Sequence, residues 1–181
     1  MPNNITEQSM HSEIVYQGRL LTIRKETSRL PNGVISQREV IVHPGAVAMV
    51  PLLDNGHILL VRQWRTAAAS VLLEIPAGTR KPGEDCTACA ERELMEEIGY
   101  RPRKLTSLCS VFLAPGYSSE KLEIFLAEDL TQASLPQDED ENIDVVSVTW
   151  EEVNNMISRG QIADSKSLNG LLLAQRLLLQ R

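Results

Sequence analysis

Short apolar and β-branched segments, separated by turn residues, dominate the first half of the chain. Two of the turns contain an Asn-Gly pair, at Asn32-Gly33 and Asn55-Gly56, which favours a tight β-hairpin. The pattern therefore predicts two hairpins that follow each other along the chain. The predicted strands are Leu20–Arg29, Val34–Val42, Ala46–Leu53, His57–Arg62, Val71–Ile75, Leu105–Phe112, Lys121–Glu128 and Val145–Thr149.

Three further segments have the features of α-helices. Asp85–Ile98 is followed by Gly99, a residue type that often ends a helix, and Trp150–Arg159 lies between the capping residue Thr149 and Gly160. Strands prevail early and helices interrupt the later part, so the sequence predicts an α+β fold with helices packed on a β-sheet. The third helix is C-terminal, and its apolar positions are Leu168, Leu171, Leu172, Leu178 and Leu179.

Length and composition indicate one globular domain. The 181 residues are 43% hydrophobic and 23% charged, and no repeat or linker divides them. We expect a flexible N-terminus over residues 1–12 and a single domain over residues 13–181. No apolar run approaches the roughly 18 residues that cross a membrane, and the N-terminus lacks the basic and apolar regions of a secretory signal. We therefore expect a cytoplasmic protein that binds no membrane.

Charge and aromatic content argue against nucleic-acid binding. The formal net charge is −6 and only 4% of the residues are aromatic, whereas nucleic-acid modules need basic surfaces and exposed rings. Carboxylates concentrate in residues 84–97 and 138–144. Such acidic segments form either a solvated surface or a cation site.

Three cysteines, Cys86, Cys89 and Cys109, fit a reducing compartment without disulfides. Cys86-x-x-Cys89 has the spacing of half a zinc site, which would make the chain a zinc-binding interaction module. No second such pair is present and the histidines are distant, so a four-ligand site lacks its other members. We expect these thiols to pack on the helix.

The first predicted helix carries its acidic residues on one edge. Glu93, Glu96 and Glu97 fall within an arc of about 100° on an α-helix. Like charges at this spacing repel each other, so they indicate either a bound hard cation or an ordinary solvated face. An apolar stripe lies beside them and consists of Ala90, Leu94 and Ile98.

The spacing of residues 78–100 narrows these alternatives. Gly78 is followed by five residues, then Glu84, seven residues, and Arg92-Glu93-Leu94-Met95-Glu96-Glu97-Ile98-Gly99-Tyr100. This segment is similar to the Nudix box, Gx5Ex7REUxEExGU, at every fixed position. The resemblance to Nudix hydrolases implies an α/β/α sandwich around a mixed β-sheet, with an N-terminal antiparallel hairpin. It also implies hydrolysis of a nucleoside diphosphate derivative with Mg²⁺ or Mn²⁺.

The same resemblance assigns roles to residues of the box. The implied metal ligands are Glu93, Glu97, Glu96 and the carbonyl oxygen of Ala77. Arg92 would orient the glutamates, and Glu84 would hold the loop to the helix. Gly78 and Gly99 are the two glycines of the box.

Segments outside the box resemble the ADP-ribose pyrophosphatase subfamily. Pro115 lies 16 positions after Gly99, and Val61-Arg62-Gln63-Trp64-Arg65 and Leu72-Leu73-Glu74-Ile75-Pro76-Ala77-Gly78 also look like that subfamily. This likeness implies conversion of ADP-ribose to AMP and ribose 5-phosphate. It also implies a homodimer whose interface includes the strands of residues 13–43.

The subfamily uses a glutamate from a loop before the last strand. Here that likeness favours Glu139 as general base and Glu141 as its helper or a metal contact, beside the catalytic Glu97. Arg65 is the first candidate for binding the diphosphate, because a guanidinium pairs bidentately with phosphate oxygens. Further substrate candidates are Arg38, Ser119 and Glu120. Alternatives are a hydrolase of GDP-mannose or a dinucleotide, or a non-catalytic sensor that binds ADP-ribose.

Overall fold

The computed structural model describes residues 5–19, 21–136 and 142–181. The chain divides into two compact units, Met1–Gly45 with Phe112–Lys121, and Ala46–Val111 with Leu122–Arg181. The helices are α1 (Cys86–Glu97), α2 (Trp150–Ser158) and α3 (Ser165–Leu178). The strands are β1 (Gln8–Gln17), β2 (Thr22–Arg29), β3 (Ile35–Val42), β4 (Ala46–Pro51), β5 (Ile58–Arg65), β6 (Ser70–Glu74), β7 (Ala77–Thr79), β8 (Tyr100–Phe112), β9 (Lys121–Gln132) and β10 (Ile143–Val148).

The first unit contains an antiparallel sheet in the order β1-β2-β3. The predicted turn joins β2 to β3, and there Gly33 adopts a φ of 86° while the Asn32 side chain accepts a hydrogen bond from the Val34 N–H. The segment after β8 returns to β3. Ile41 donates its N–H to the carbonyl oxygen of Tyr117, and its own carbonyl accepts from the N–H of Ser119.

The second unit contains two sheets, in the orders β7-β4-β9-β8 and β10-β5-β6. Strand β4 pairs parallel to β9 and antiparallel to β7, so the larger sheet is mixed, as predicted. All six residues of β4 are buried. A strand buried on both faces reads as a continuous apolar run, which explains the sequence Ala46-Val47-Ala48-Met49-Val50.

Alternate residues of β4 face different helices. Val47 and Met49 belong to the apolar cluster that includes Leu94 of α1. On the other side, Gly170 of α3 packs so closely that an added Cβ would lie 3.1 Å from the Val50 side chain. Helices therefore cover both faces of the larger sheet, and this confirms the α+β class and the sandwich of helices around a mixed sheet.

Strand positions differ from the prediction where the local pattern is weak. Strand β1 begins at Gln8, within the segment expected to be flexible, and all ten of its residues are exposed. No burial pattern marks it in the sequence, and it is ordered by pairing with β2. The three-residue β7 was not predicted, and β8 begins at Tyr100 rather than Leu105.

Among the described residues, none of the helices has the length and apolar character needed to cross a membrane.

Candidate active site

Helix α1 presents two buried carboxylates one turn apart. Its N-terminus is capped by Asp85, whose side chain accepts hydrogen bonds from the N–H groups of Thr87 and Ala88. The apolar side of the helix packs into the core through Cys89, Ala90 and Leu94. This packing leaves Glu93 only 7% exposed and Glu97 only 2% exposed. Buried charges of this kind need compensating partners.

The backbone of β7 lies directly against these two carboxylates. The N–H of Ala77 donates to Oε2 of Glu97 at 3.1 Å. The carboxyl group of Glu93 lies over the α-carbon of Gly78, so closely that a side-chain Cβ there would overlap with it. Only glycine leaves room for the carboxylate at this position. Ala77, Gly78, Glu93 and Glu97, which the resemblance links to one site, are thus adjacent in the structure.

Arg92 connects three glutamates through one guanidinium group. Its Nη1 donates at 2.7 Å both to Oε1 of Glu93 and to Oε2 of Glu96. Its Nε and Nη2 donate to the two carboxylate oxygens of Glu84 at 2.9 and 3.0 Å. Glu84 also accepts the backbone N–H of Lys81, so it ties the loop to the helix. Through these contacts Arg92 would orient the glutamates, the role predicted for it from the sequence.

The pKa values reflect this charge pairing. Hydrogen bonds from Arg92, joined by the backbone N–H of Lys81, lower the pKa of Glu84 to about 2. The same bond to Glu84, with the charge of Glu93, raises the pKa of Arg92 above its ordinary value. Glu84 and Arg92 are therefore both ionised at neutral pH.

The donor set has the chemistry of a site for a hard cation. Carboxylate oxygens are the ligands that Mg²⁺ and Mn²⁺ prefer, and Glu93, Glu96 and Glu97 lie on one edge of α1 next to the backbone at Ala77. Within residues 5–19, 21–136 and 142–181, no three His, Cys, Asp or Glu side chains are arranged as a ready-made metal site. Glu93 and Glu96 each accept a hydrogen bond from Arg92. The residue types fit a divalent cation, which would share these oxygens with Arg92.

Arg65, the candidate for binding the diphosphate, is paired with a buried glutamate. Its Nε and Nη2 donate to the two carboxylate oxygens of Glu74 at 2.9 and 2.7 Å. This pairing raises the pKa of Arg65, and the charge of Glu97 acts in the same direction. Arg65 is thus close enough to the glutamates of α1 to interact with them electrostatically. Its third nitrogen, Nη1, lies outside the pair with Glu74.

Three other substrate candidates belong to the first compact unit. Arg38 forms an exposed ion pair with Glu7, with Nη2 3.0 Å from Oε1. The hydroxyl of Ser119 accepts the backbone N–H of His43 at 3.0 Å. Glu120 donates its own backbone N–H to the hydroxyl of Ser118. In this structure these groups stabilise local backbone, and a role in substrate binding stays a prediction.

Two predicted catalytic residues, Glu139 and Glu141, lie outside the described residues. Their roles therefore also stay predictions.

The Cys89 thiol is buried in the apolar cluster beside α1. Burial, joined by a hydrogen bond to Glu84, raises the pKa of Cys89 to about 12. The Cys89 sulfur also accepts a contact from Nη2 of Arg92 at 3.3 Å. Cys89 is therefore part of the packing around α1, as expected from the sequence.

One charged cluster near the site was not identified from the sequence. Glu74, at the end of β6, is 1% exposed and contacts both Arg65 and Lys166. The sequence signal for this cluster is a glutamate within an apolar strand, because a buried glutamate needs a cation as its partner. Nothing in the sequence marks Lys166, which lies 92 positions further on.

The family model of the NUDIX domain matches residues 42–169. The chain is 36% identical to an ADP-ribose pyrophosphatase of Bacillus subtilis (strain 168), over 91% of this chain and 90% of that protein. It is 34% identical to a methanol dehydrogenase activator of Bacillus methanolicus, over 90% and 89% of the two chains.

A solved structure is also similar. The crystal structure of an ADP compounds hydrolase superposes with a TM-score of 0.87 at 29% sequence identity, covering 97% of this chain and 95% of that one.

The close approach of Gly78 to Glu93 generates a first prediction. Gly78→Ala should displace the Glu93 carboxylate and weaken binding of Mg²⁺ or Mn²⁺ by about 10-fold or more, measured by titration calorimetry. Stability should also fall, because displacing the buried carboxylate disturbs its hydrogen bond with Arg92. Gly116→Ala, which adds a methyl group in open space, is the control. Equal metal affinity in both variants would contradict the prediction.

The low pKa of Glu84 generates a second prediction. Its folded pKa of about 2 lies below the ordinary 4.5, so its stabilising contribution is complete above about pH 4.5 and is lost as the pH falls towards 2. Glu84→Gln should therefore lower the free energy of unfolding at neutral pH, and its difference from the unsubstituted protein should shrink on acidification. Urea denaturation at about pH 7, 4 and 3 measures this, with Glu151→Gln on exposed α2 as the control. A difference that does not vary with pH would show that ionisation of Glu84 does not stabilise the fold.

Proposed function

Because the chain belongs to the Nudix hydrolase family and is a Nudix pyrophosphohydrolase, we propose that its substrate is ADP-ribose, which it splits into AMP and ribose 5-phosphate. Members similar to this chain act on nucleoside diphosphate compounds, as their names state. The observation that carries the proposal is the pair of buried carboxylates, Glu93 and Glu97, held against the backbone of Ala77 and Gly78. A hydrolase of a charged diphosphate needs such a set of oxygen ligands.

The proposal includes a divalent cation, Mg²⁺ or alternatively Mn²⁺, held by the glutamates of α1. Glu93 and Glu97 would be the main ligands, with Glu96 and the carbonyl oxygen of Ala77 completing the set. When bound, such a cation compensates the charge of a diphosphate and lowers the pKa of water. Arg92 would keep the glutamates in one orientation through its contacts with Glu93 and Glu96.

Arg65 and two loop carboxylates would complete the machinery. Arg65 presents a guanidinium nitrogen outside its pair with Glu74, and this nitrogen would donate to a phosphate oxygen. Glu139 would accept the proton of the attacking water as general base, with Glu141 as its helper. Arg38, Ser119 and Glu120 would contact the rest of the substrate.

The test is product analysis by chromatography. The protein with Mg²⁺ is offered ADP-ribose, GDP-mannose, a diadenosine polyphosphate and NADH in parallel. We expect AMP and ribose 5-phosphate from ADP-ribose as the fastest reaction. Glu97→Gln should lower kcat by about 100-fold or more, because it removes a buried anionic ligand.

The matched control for this variant is on the same helix. Glu91 pairs with Arg101 on the surface, so Glu91→Gln removes one glutamate of α1 without changing the contacts between Arg92 and the glutamates of the site. It should retain full activity. Faster cleavage of another compound would overturn ADP-ribose as the substrate, and binding of ADP-ribose without cleavage of any compound would favour the sensor alternative.

The same assay separates the two loop carboxylates. A general base contributes about 10²- to 10⁴-fold to the rate, so Glu139→Gln should lower kcat within that range and Glu141→Gln should lower it less. The reverse order would assign the base to Glu141.

We also propose that the protein is a homodimer that uses its N-terminal strands. Strand β1 is the edge of its sheet, all its residues are exposed, and it carries exposed Met10, Ile14, Val15 and Tyr16. An edge strand with exposed apolar side chains favours pairing with a second chain. This supports an interface that involves residues 13–43.

Charge on this strand should separate the subunits. The double substitution Ile14→Asp and Tyr16→Asp should convert the dimer to a monomer in light scattering coupled to size-exclusion chromatography, because it buries two carboxylates in the interface. Leu179→Asp, at an exposed apolar position at the end of α3, is the control and should remain dimeric. A dimer that survives the double substitution would place the interface elsewhere.

The state of the cysteines indicates in which cellular compartment the protein is expected. Cys86, Cys89 and Cys109, all within the described residues, are unpaired. This supports a reducing compartment, and we assign the protein to the cytoplasm.

A further inference from the structure

A four-residue ion cluster joins the start of α3 to the strand pair β5-β6. We call it the Glu74 cluster, and it consists of Arg65, Glu74, Asp164 and Lys166. Arg65 donates to both carboxylate oxygens of Glu74, and Nζ of Lys166 donates to Oε2, one of the same two oxygens. A single buried carboxylate is therefore shared by two cations from distant parts of the chain.

Residues at the start of α3 hold Lys166 in position. Its Nζ lies 3.0 Å from Oδ1 of Asp164, the residue that caps α3 by accepting the N–H of Ser167. The hydroxyl of Ser167 in turn accepts the backbone N–H of Ile75 at 2.8 Å, directly after Glu74. The first turn of α3 is thus anchored to the end of β6, and this places the Lys166 backbone beside Glu74.

The electrostatics of the cluster affect Arg65. Burial by itself would raise the pKa of Glu74, but the hydrogen bond from Arg65 and the charge of Lys166 outweigh it and hold the pKa below its ordinary value. Glu74 is therefore an anion that two cations share. The cluster as a whole is balanced, because Lys166 also pairs with Asp164. Arg65 is 41% exposed and Lys166 only 12%, so Arg65 is the cation of the cluster that an anion can reach.

We infer that Lys166 is a positioning residue for substrate binding, which acts through Glu74 to hold the Arg65 guanidinium in one orientation for a nucleoside diphosphate. The inference rests on the proposed role of Arg65 as the group that binds the diphosphate. Lys166 itself is 12% exposed and its ammonium group is engaged by Glu74 and Asp164, so it acts on Arg65 and not on the substrate.

Steady-state kinetics test the inference. Lys166→Met removes the charge while keeping an unbranched chain. We expect KM to rise about 10-fold and kcat to change less than about 3-fold. The reason is that Arg65 would bind the substrate equally well in the ground state and in the transition state. Lys166→Arg should restore KM. Lys104→Met is the matched control, since it removes a lysine that pairs with Glu128 in the same unit.

A double-substitution cycle shows whether Lys166 acts through Arg65. In an Arg65→Lys background, Lys166→Met should raise KM much less than in the unsubstituted protein, because the group that it positions has been replaced. Additive effects of the two substitutions would overturn the inference.

A spectroscopic readout is independent of catalysis. The Nε–H of Arg65 donates to buried Glu74 at 2.9 Å, so its NMR signal should exchange slowly with water, and Arg65→Lys identifies that signal by removing it. Lys166→Met should accelerate the exchange and Lys166→Arg should restore it. If Lys166→Met does not fold, Lys166→Gln takes its place, since it keeps a donor but removes the charge.

These outcomes test the proposed substrate and the role of Lys166 separately. Preference for a compound other than ADP-ribose overturns the proposed substrate, and KM is then measured with that compound. If the protein cleaves none of the compounds, the exchange rate alone decides. Unchanged KM and unchanged exchange in Lys166→Met would overturn the role of Lys166 in either case.

Discussion

The guanidinium of Arg92 compensates the carboxylates that crowd one edge of α1, and the geometry of the candidate site depends on this compensation. Glu93 and Glu97 are buried one turn apart, an arrangement that mutual repulsion and desolvation would otherwise disfavour. Because Arg92 also pairs with Glu84, the same group holds the loop that leads into the helix. One side chain therefore couples the orientation of the glutamates to the position of the loop.

The Glu74 cluster follows the same physical rule with a different balance of charge. Around Arg92 one cation serves three anions, whereas the Glu74 cluster contains two cations, Arg65 and Lys166, and two anions, Glu74 and Asp164. The glutamates of α1 therefore keep an excess of negative charge, whereas the charges of the Glu74 cluster balance. Arg65 is the more exposed cation of the second cluster, because Lys166 lies between the two carboxylates.

How much could be predicted from sequence depended on whether the signal was local. The spacing of Glu93, Glu96 and Glu97 follows from helix geometry, and the apolar run of β4 correctly indicated a strand. Strand β1 was missed because its order comes from pairing with β2 and not from its own composition. The bond between Lys166 and Glu74 was missed for the same reason, since it joins residues that only the tertiary fold brings together. The closeness of Gly78 to Glu93 was likewise visible only once the fold was known.

The parallel pairing of β4 with β9 has a consequence for how the chain reaches this structure. Ala46 pairs with Leu122, so the most apolar strand acquires this neighbour only after some 75 further residues have left the ribosome. During that interval an unpaired apolar edge is open to other nascent chains. Contacts of such large sequence separation also slow folding. Protein synthesis at a lower temperature or with a chaperone that shields extended apolar segments should therefore raise the yield of native protein more than changes of buffer after purification.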